Sequence, residues 1–319
     1  MARSKQILIT GGTGFAGSHL AERLLTTEPE ATIHLTTLQK DGEVLPESLS
    51  QTVIHEIDLT NLEQTKALFA EVKPDEIYHL AAMAEVGSSF EQAAKITTIN
   101  MQLQLSVLTA LQTVSPSARL LVVGSALEYG KVEPSELPIT ENQPFRPLNP
   151  YAVSKVAQDL LGYAYAESYG LQLIRVRPFN HTGERQTTAF AIPSFAEQIV
   201  KIEQGVQATL QVGNLAAIRD ILDVKDVVRA YTVVMKHGVV GEVYNIGSGV
   251  GVSMQSVLDQ LVQLANKPIT ITKDPDRLRP ADIPELRADI QKLTALGWQP
   301  EISLQETLQR IVTFWRSLT

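Results

Sequence analysis

Cysteine is absent from the 319 residues, which excludes a disulfide framework, a thiolate metal site and a cysteine nucleophile. Basic charge is in deficit, with 27 Lys and Arg against 35 Asp and Glu and a formal charge of −8. A chain of that balance offers no basic face for sequence-independent binding to nucleic-acid phosphates, although a local Arg cluster can still hold a small phosphorylated ligand. Long apolar runs are missing too. Ile7-Leu8-Ile9-Thr10 is far shorter than a signal-peptide core and lacks a small-residue cleavage pattern, and no stretch approaches a membrane span. The cytoplasm is therefore the expected location, with neither membrane nor nucleic acid as a partner. No internal repeat, low-complexity tract or Pro/Gly/Ser linker divides the chain. With 44% hydrophobic and 19% charged residues, it can bury enough apolar surface to offset its ordering entropy. Its length predicts one large core with an appended lobe.

Short β-branched runs alternate with longer helical patterns. Strands are expected at Gln6 to Thr10, Thr32 to Thr36, Val53 to Ile57, Glu76 to Leu80, Arg119 to Gly124 and Leu171 to Val176. Helices are expected after Gly14 and around Asn61 to Glu71, Thr97 to Thr113 and Tyr151 to Tyr169. That alternation predicts an α/β chain with a Rossmann-like, doubly wound parallel sheet over residues 1–179. A smaller α/β substrate-binding lobe is expected over 180–319, with chain crossings between the two. Its expected pieces are helices at Ile192 to Gln204, Ser253 to Ala265 and Ser303 to Trp315, and strands near Thr209 and Val243.

Directly after the first strand the chain reads Gly11-Gly12-Thr13-Gly14-Phe15-Ala16-Gly17. Glycine serves such a loop by allowing positive φ, close approach of backbone to a pyrophosphate, and tight packing of helix on strand. The pyrophosphate then sits at the positive end of the helix. A nicotinamide dinucleotide is the expected cofactor, with Gly11, Thr13, Gly14, Phe15, Ala16 and Gly17 in contact with it. The acid that would bind the ribose of NAD is missing from Leu35-Thr36-Thr37-Leu38-Gln39-Lys40, where the first carboxylate is Asp41. This favours NADP(H), with NAD(H) the alternative and Lys40 otherwise an ordinary solvated loop charge.

Tyr151-Ala152-Val153-Ser154-Lys155 puts a phenol and an ammonium on one helical face. Lysine there is expected to stabilise tyrosinate and bring the phenol into the working range of a general acid or base. Upstream, the apolar strand at Leu120 to Val123 ends in Gly124-Ser125, which presents a hydroxyl at the carboxyl edge of the sheet. Ser125, Tyr151 and Lys155 together predict a hydride-transfer site: Ser125 on the carbonyl oxygen, Tyr151 exchanging its proton, Lys155 tuning Tyr151 and holding the nicotinamide ribose. His79, on an apolar strand, reads as a satisfied core histidine. No His pair has metal-ligand spacing, and no metal is expected.

With these residues the chain resembles, end to end, the extended short-chain dehydrogenase/reductases that modify nucleotide sugars. The resemblance implies cofactor contacts at Asp58 and Leu59 and at Leu80, Ala81 and Ala82. Within that superfamily, Arg177-Pro178-Phe179-Asn180-His181-Thr182-Gly183, Val212-Gly213-Asn214-Leu215, Ile218-Arg219-Asp220 and Leu278-Arg279-Pro280-Ala281-Asp282-Ile283-Pro284 resemble the branch of GDP-mannose 4,6-dehydratases and GDP-6-deoxy-4-keto-mannose reductases. It implies a GDP-linked sugar substrate held by Asn180, Arg219 and Arg279, with Arg185 a further candidate. Guanidinium forks suit a diphosphate. The alternative is that Arg219 and Arg279 only pair with Asp220 and Asp282.

Dehydratases of this branch carry an extra acid/base, usually a Glu two residues after the catalytic Ser or Thr. Here that position is Leu127, which cannot carry a proton, and Glu128 follows it. In extended backbone, neighbouring side chains point to opposite faces, so Glu128 substitutes only if the loop bulges. The expected reaction is NAD(P)H-dependent reduction of the C4 ketone of a GDP-4-keto-6-deoxyhexose. GDP-mannose 4,6-dehydration and nucleotide-sugar 4-epimerisation with a retained cofactor are the alternatives. A homodimer through the helices holding Gln102 to Leu111 and Val156 to Ala166 is expected by analogy, and core packing explains the same apolar spacing.

Overall fold

The computed structural model describes residues 3–39, 46–84, 89–277 and 283–318. Lys40, Asp41 and Arg279 lie outside them. Strands and helices alternate from the start: β1 (Gln6–Thr10), α1 (Phe15–Thr27), β2 (Thr32–Thr37), β3 (Val53–Glu56), α2 (Leu62–Val72), β4 (Glu76–His79), α3 (Ala93–Val114), β5 (Arg119–Val123), α4 (Pro150–Tyr169) and β6 (Leu173–Pro178). The remainder comprises β7 (Asn180–Thr182), α5 (Ala191–Glu203), β8 (Leu210–Val212), β9 (Ile218–Asp223), α6 (Val224–His237), β10 (Val243–Ile246), β11 (Gly251–Ser253), α7 (Met254–Gln263), β12 (Ile271–Lys273), β13 (Glu285–Leu286), α8 (Gln291–Thr294) and α9 (Leu304–Ser317). No described helix is long and apolar enough to cross a membrane.

The large sheet has the order β10-β6-β5-β4-β1-β2-β3, and every pairing in it is parallel. Side chains alternate across a strand, so β1 sends Ile7 and Ile9 into one apolar layer and Leu8 into the other. The first layer holds Leu20 and Leu24 of α1 and Val227 and Tyr231 of α6; the second holds Phe69 of α2 and Val107 and Leu111 of α3. This explains the continuous apolar run of β1, since a strand covered on both faces needs no polar alternation. Local chemistry sets the ends of the helices. Asn61 accepts from Glu63 and Gln64 N–H to start α2, while Asn149 caps α4 ahead of Pro150 and Gly170 at φ 65° ends it.

From β1 the chain runs to β2 and β3 on one side and continues from β4 on the other. The carboxyl ends of β1 and β4 therefore flank a topological switch point, where ligands bind in open α/β sheets.

Beyond residue 180 the chain builds a smaller unit from β7, β9, β11 and β13, the pair β8 and β12, and helices α5, α7 and α9 around a separate apolar cluster. It does not stay there. The strand expected near Val243 in the smaller lobe belongs to the large sheet, where Val243 pairs with Arg175 along the outer side of β6. Its four residues are buried, and α6 joins the layer containing α1. The local pattern of β10 suits a buried parallel strand in either lobe, and only the pairing partner decides between them.

Candidate active site

A cavity of about 890 Å³ opens along the carboxyl edge of the large sheet. Gly11, Thr13, Gly14, Phe15, Ala16 and Gly17 line one end, together with Asp58 and Leu59 after β3 and Leu80, Ala81 and Ala82 after β4. Gly11 has φ +65°, and a Cβ there would lie 3.0 Å from the Ala81 backbone. Among the described residues no side chain caps α1, so its first N–H groups are left for an anion. Such a cradle, which only glycine leaves open, fits a dinucleotide pyrophosphate. β2 ends at Thr37, and the residues lining the cavity beyond it are Leu38 and Gln39. Asp58 turns its carboxylate onto Thr60, accepting from N–H at 2.9 Å and from the hydroxyl at 2.7 Å.

At the other end stand Ser125, Tyr151 and Lys155, brought together as expected. Ser125 caps the short turn Ala126–Glu128, accepting from Leu127 N–H at 3.2 Å, and it lies near enough to the Tyr151 phenol to draw its pKa down. Lys155 gives its ammonium to the Val123 carbonyl at 2.8 Å.

The expected electrostatics need correction. Burial and then the nearby Glu128 carboxylate push the Tyr151 phenol well above its ordinary range, with Ser125 drawing it partly back. Lys155 takes no part in that balance, because its ammonium is turned to Val123 and burial lowers its pKa to about 8 against the pull of Glu128. His79 is only half satisfied. Its Nδ1 meets the Thr10 hydroxyl at 2.7 Å, but Nε2 has no hydrogen-bond partner among the described residues, and burial followed by repulsion from Lys155 depresses its pKa to about 3.

The residues expected on the sugar divide. Asn180 lines the cavity and is exposed. Arg185 does not line it; its guanidinium forks onto the Glu22 carboxylate of α1 at 2.8 and 2.7 Å. Arg219 is likewise absent from the lining, and its Nη1 donates to the carbonyls of Ile218 and Ile283. Asp220 is occupied elsewhere, accepting from Ser248, Gly249 and Ala288.

Sequence reasoning missed several groups. His181 lies in the cavity with its ring stacked on Phe15, 6.0 Å between centroids, and its Nδ1–H donating to the Phe179 carbonyl at 3.0 Å. That bond fixes the tautomer and leaves Nε2 as the acceptor. Tyr231 of α6 closes the wall near Tyr151. Asn100 of α3 joins Met83 to Ser154: its Oδ1 accepts from Met83 N–H at 2.8 Å, and its amide donates to the Ser154 hydroxyl at 2.9 Å. A buried Asn inside an apolar helix was the available signal.

Leu127 lines the cavity, whereas Glu128 is fully buried beneath the turn and does not. Among the described lining residues the only carboxylate is Asp58, which follows β3, several strands away from β5.

The profile of the family described as GDP-mannose 4,6 dehydratase matches residues 8–311. A GDP-6-deoxy-D-mannose reductase from Pseudomonas aeruginosa is 34% identical over 316 residues, 98% of each chain. The solved structure of RMD from Pseudomonas aeruginosa, complexed with NADPH, superposes with TM-score 0.86 at 33% identity, covering 99% of this chain and 100% of that one. A Thermus thermophilus UDP-glucose 4-epimerase in complex with NAD superposes with TM-score 0.86 at 28% identity, over 98% and 99% of the two chains.

Proposed function

The chain belongs to the GDP-mannose 4,6-dehydratase family of extended short-chain dehydrogenase/reductases, and on that premise we propose that it reduces the C4 ketone of a GDP-4-keto-6-deoxyhexose, forming GDP-6-deoxy-D-mannose. The observation that carries the reading is Leu127 at the cavity wall with Glu128 turned beneath it. Loss of the C6 hydroxyl requires a group that removes the C5 proton, and leucine cannot supply one. Ketone reduction requires only a hydroxyl to orient the carbonyl and an acid to protonate the oxygen.

When bound, the nicotinamide supplies a hydride to the carbonyl carbon. The glycine loop and the α1 N-terminus would hold its pyrophosphate, and Lys155 would hold its ribose. Ser125 hydrogen-bonds the substrate oxygen, and Tyr151 donates its proton there as negative charge develops. With the phenol pKa raised, Tyr151 is protonated at neutral pH and loaded for this direction. Asn180, at the cavity mouth, is assigned to the sugar diphosphate. The absence of a carboxylate at Thr37, Leu38 and Gln39 favours NADPH over NADH.

The test gives the purified protein NADPH or NADH with GDP-4-keto-6-deoxymannose. One NADPH consumed per deoxyhexose formed is the expected result, and a faster rate with NADH would refute the cofactor assignment. Conversion of GDP-mannose to the keto sugar, or interconversion of C4 epimers without NADPH loss, would replace the reductase reading.

We also assign a homodimer to the α3 and α4 face. These two helices pack on each other, and Met101, Leu105, Val153 and Leu160 stand exposed along them. An apolar stripe shared by two adjacent helices suits a second copy related by a two-fold axis. Sedimentation should give twice the 35.0 kDa chain mass for the parent, falling to a single chain in Leu160→Glu. A monomeric parent would sink the assignment.

A further inference from the structure

Beneath Ser125, on the side away from the cavity, lies a group of buried charges that ketone reduction does not itself require. Glu128 has no exposed surface. Its Oε1 accepts the Ser125 N–H at 2.6 Å, while Oε2 lies 3.3 Å from Arg177 Nε without a hydrogen bond. Arg177 gives its Nε and Nη2 to Asp159 instead, at 3.0 and 3.2 Å, and its Nη1 to the Tyr129 hydroxyl and the Glu141 carbonyl. Asp159 also takes Arg175 Nη1 at 2.6 Å. The titratable groups around Glu128 are thus Tyr151, Lys155 and Asp159 from α4, Arg177 from β6 and Tyr129 from its own turn.

A backbone N–H can be held by any neutral acceptor. A buried acid whose second oxygen has only an ion pair with Arg177, and no hydrogen-bond donor among the described residues, is a costly way to do it, and costly buried charges concentrate where they act on neighbouring groups. We propose that Glu128 is a positioning residue: from beneath the turn it fixes Ser125, and its negative charge sets the field in which Tyr151 and Lys155 hold their protons. The proposal rests on the reading that Tyr151 is the proton donor. An ionised Glu128 raises both the phenol and the ammonium, and burial with the nearby Asp159 raises Glu128 itself to about 8. The active-site turn therefore carries a charge that changes near neutral pH.

Glu128→Gln keeps an oxygen for the Ser125 N–H and removes the charge; Glu128→Leu removes both. Losing the anion stabilises phenolate and neutral amine alike, so the alkaline limb of kcat in the Gln variant should move to lower pH by about one unit. In the Leu variant kcat should fall about tenfold more, with the KM for NADPH changed less than about threefold. A second readout needs no substrate or cofactor. A carboxyl whose folded pKa is raised contributes stability that is complete below its unfolded value and lost as pH rises through the folded one. The thermal midpoint of the parent should therefore carry a decline between about pH 4.5 and 8 that Glu128→Gln flattens. Superimposable kcat profiles and melting curves for parent and Gln variant would overturn the proposal. Should Tyr151→Phe stay active, both the proposal and the reading beneath it fail; should it be inactive while the Glu128→Gln profile overlays the parent, the proposal alone fails.

Discussion

Tyr151→Phe is expected to lower kcat by about 10²–10⁴-fold, the usual contribution of a positioned general acid. At 1.36 kcal/mol per factor of ten this is a barrier increase of about 2.7–5.4 kcal/mol. The substitution isolates one atom. The Tyr151 ring is buried in the first turn of α4, and phenylalanine fills the same volume, so only the hydroxyl is lost. Neither the glycine loop nor Lys155 is disturbed, and NADPH affinity, read by fluorescence titration, should change by less than about threefold. Because burial holds the phenol protonated, the parent is primed for protonating an alkoxide, which is far more basic than a phenolate. A variant that retained a third or more of parental kcat would remove Tyr151 from the reaction and transfer the proton to another group, His181 or a solvent water. Parental kcat with a raised KM would instead make Tyr151 a binding group.

The parts legible in the sequence are those whose meaning is local. Gly11 to Gly17 follow a strand and open a helix within a few residues, and Tyr151 and Lys155 are one helical turn apart. Once the helix forms, their juxtaposition is fixed. Ser125 was legible because β5 must end at the sheet edge where its neighbours end. Two of the guanidinium groups, Arg185 and Arg219, lie off the cavity for the opposite reason. Arg185 finds Glu22 across 163 residues, and Arg219 finds Ile283 across 64. An arginine suits any acceptor that the fold brings near, so its partner is a property of the tertiary structure. The same holds for the return of α6 and β10 to the large sheet. Leu127 and Glu128 lie between these cases. They do face different ways, but through the short turn Ala126–Glu128 rather than through the alternation of an extended strand, and only the packed structure shows that the Ser125 N–H and the Arg177 guanidinium meet the carboxyl group.

Gly17→Ala should weaken dinucleotide binding by on the order of 10–100-fold. A Cβ at this position would lie 2.3 Å from the Gly11 carbonyl oxygen and 2.8 Å from Gly12 Cα. Both neighbours are backbone, so no flexible side chain can swing aside. Relief requires α1 to move away from β1 or the loop to open. The loop resists: Gly11 sits at φ +65°, its N–H donates to the Thr36 hydroxyl at 3.1 Å, and Gly12 N–H donates to the Thr36 carbonyl at 3.1 Å. Overpacking of this kind costs about 1–3 kcal/mol, and 1.4 kcal/mol is a tenfold change in affinity. Displacement of α1 carries the uncapped N–H groups away from the pyrophosphate, so the loss should fall on cofactor dissociation rather than on kcat at saturating NADPH. Isothermal titration with NADPH, paired with a melting curve of the protein alone, separates the two consequences. A lowered midpoint accompanied by unchanged affinity would mean that the loop adapts and that the cradle does not depend on close contact between α1 and β1.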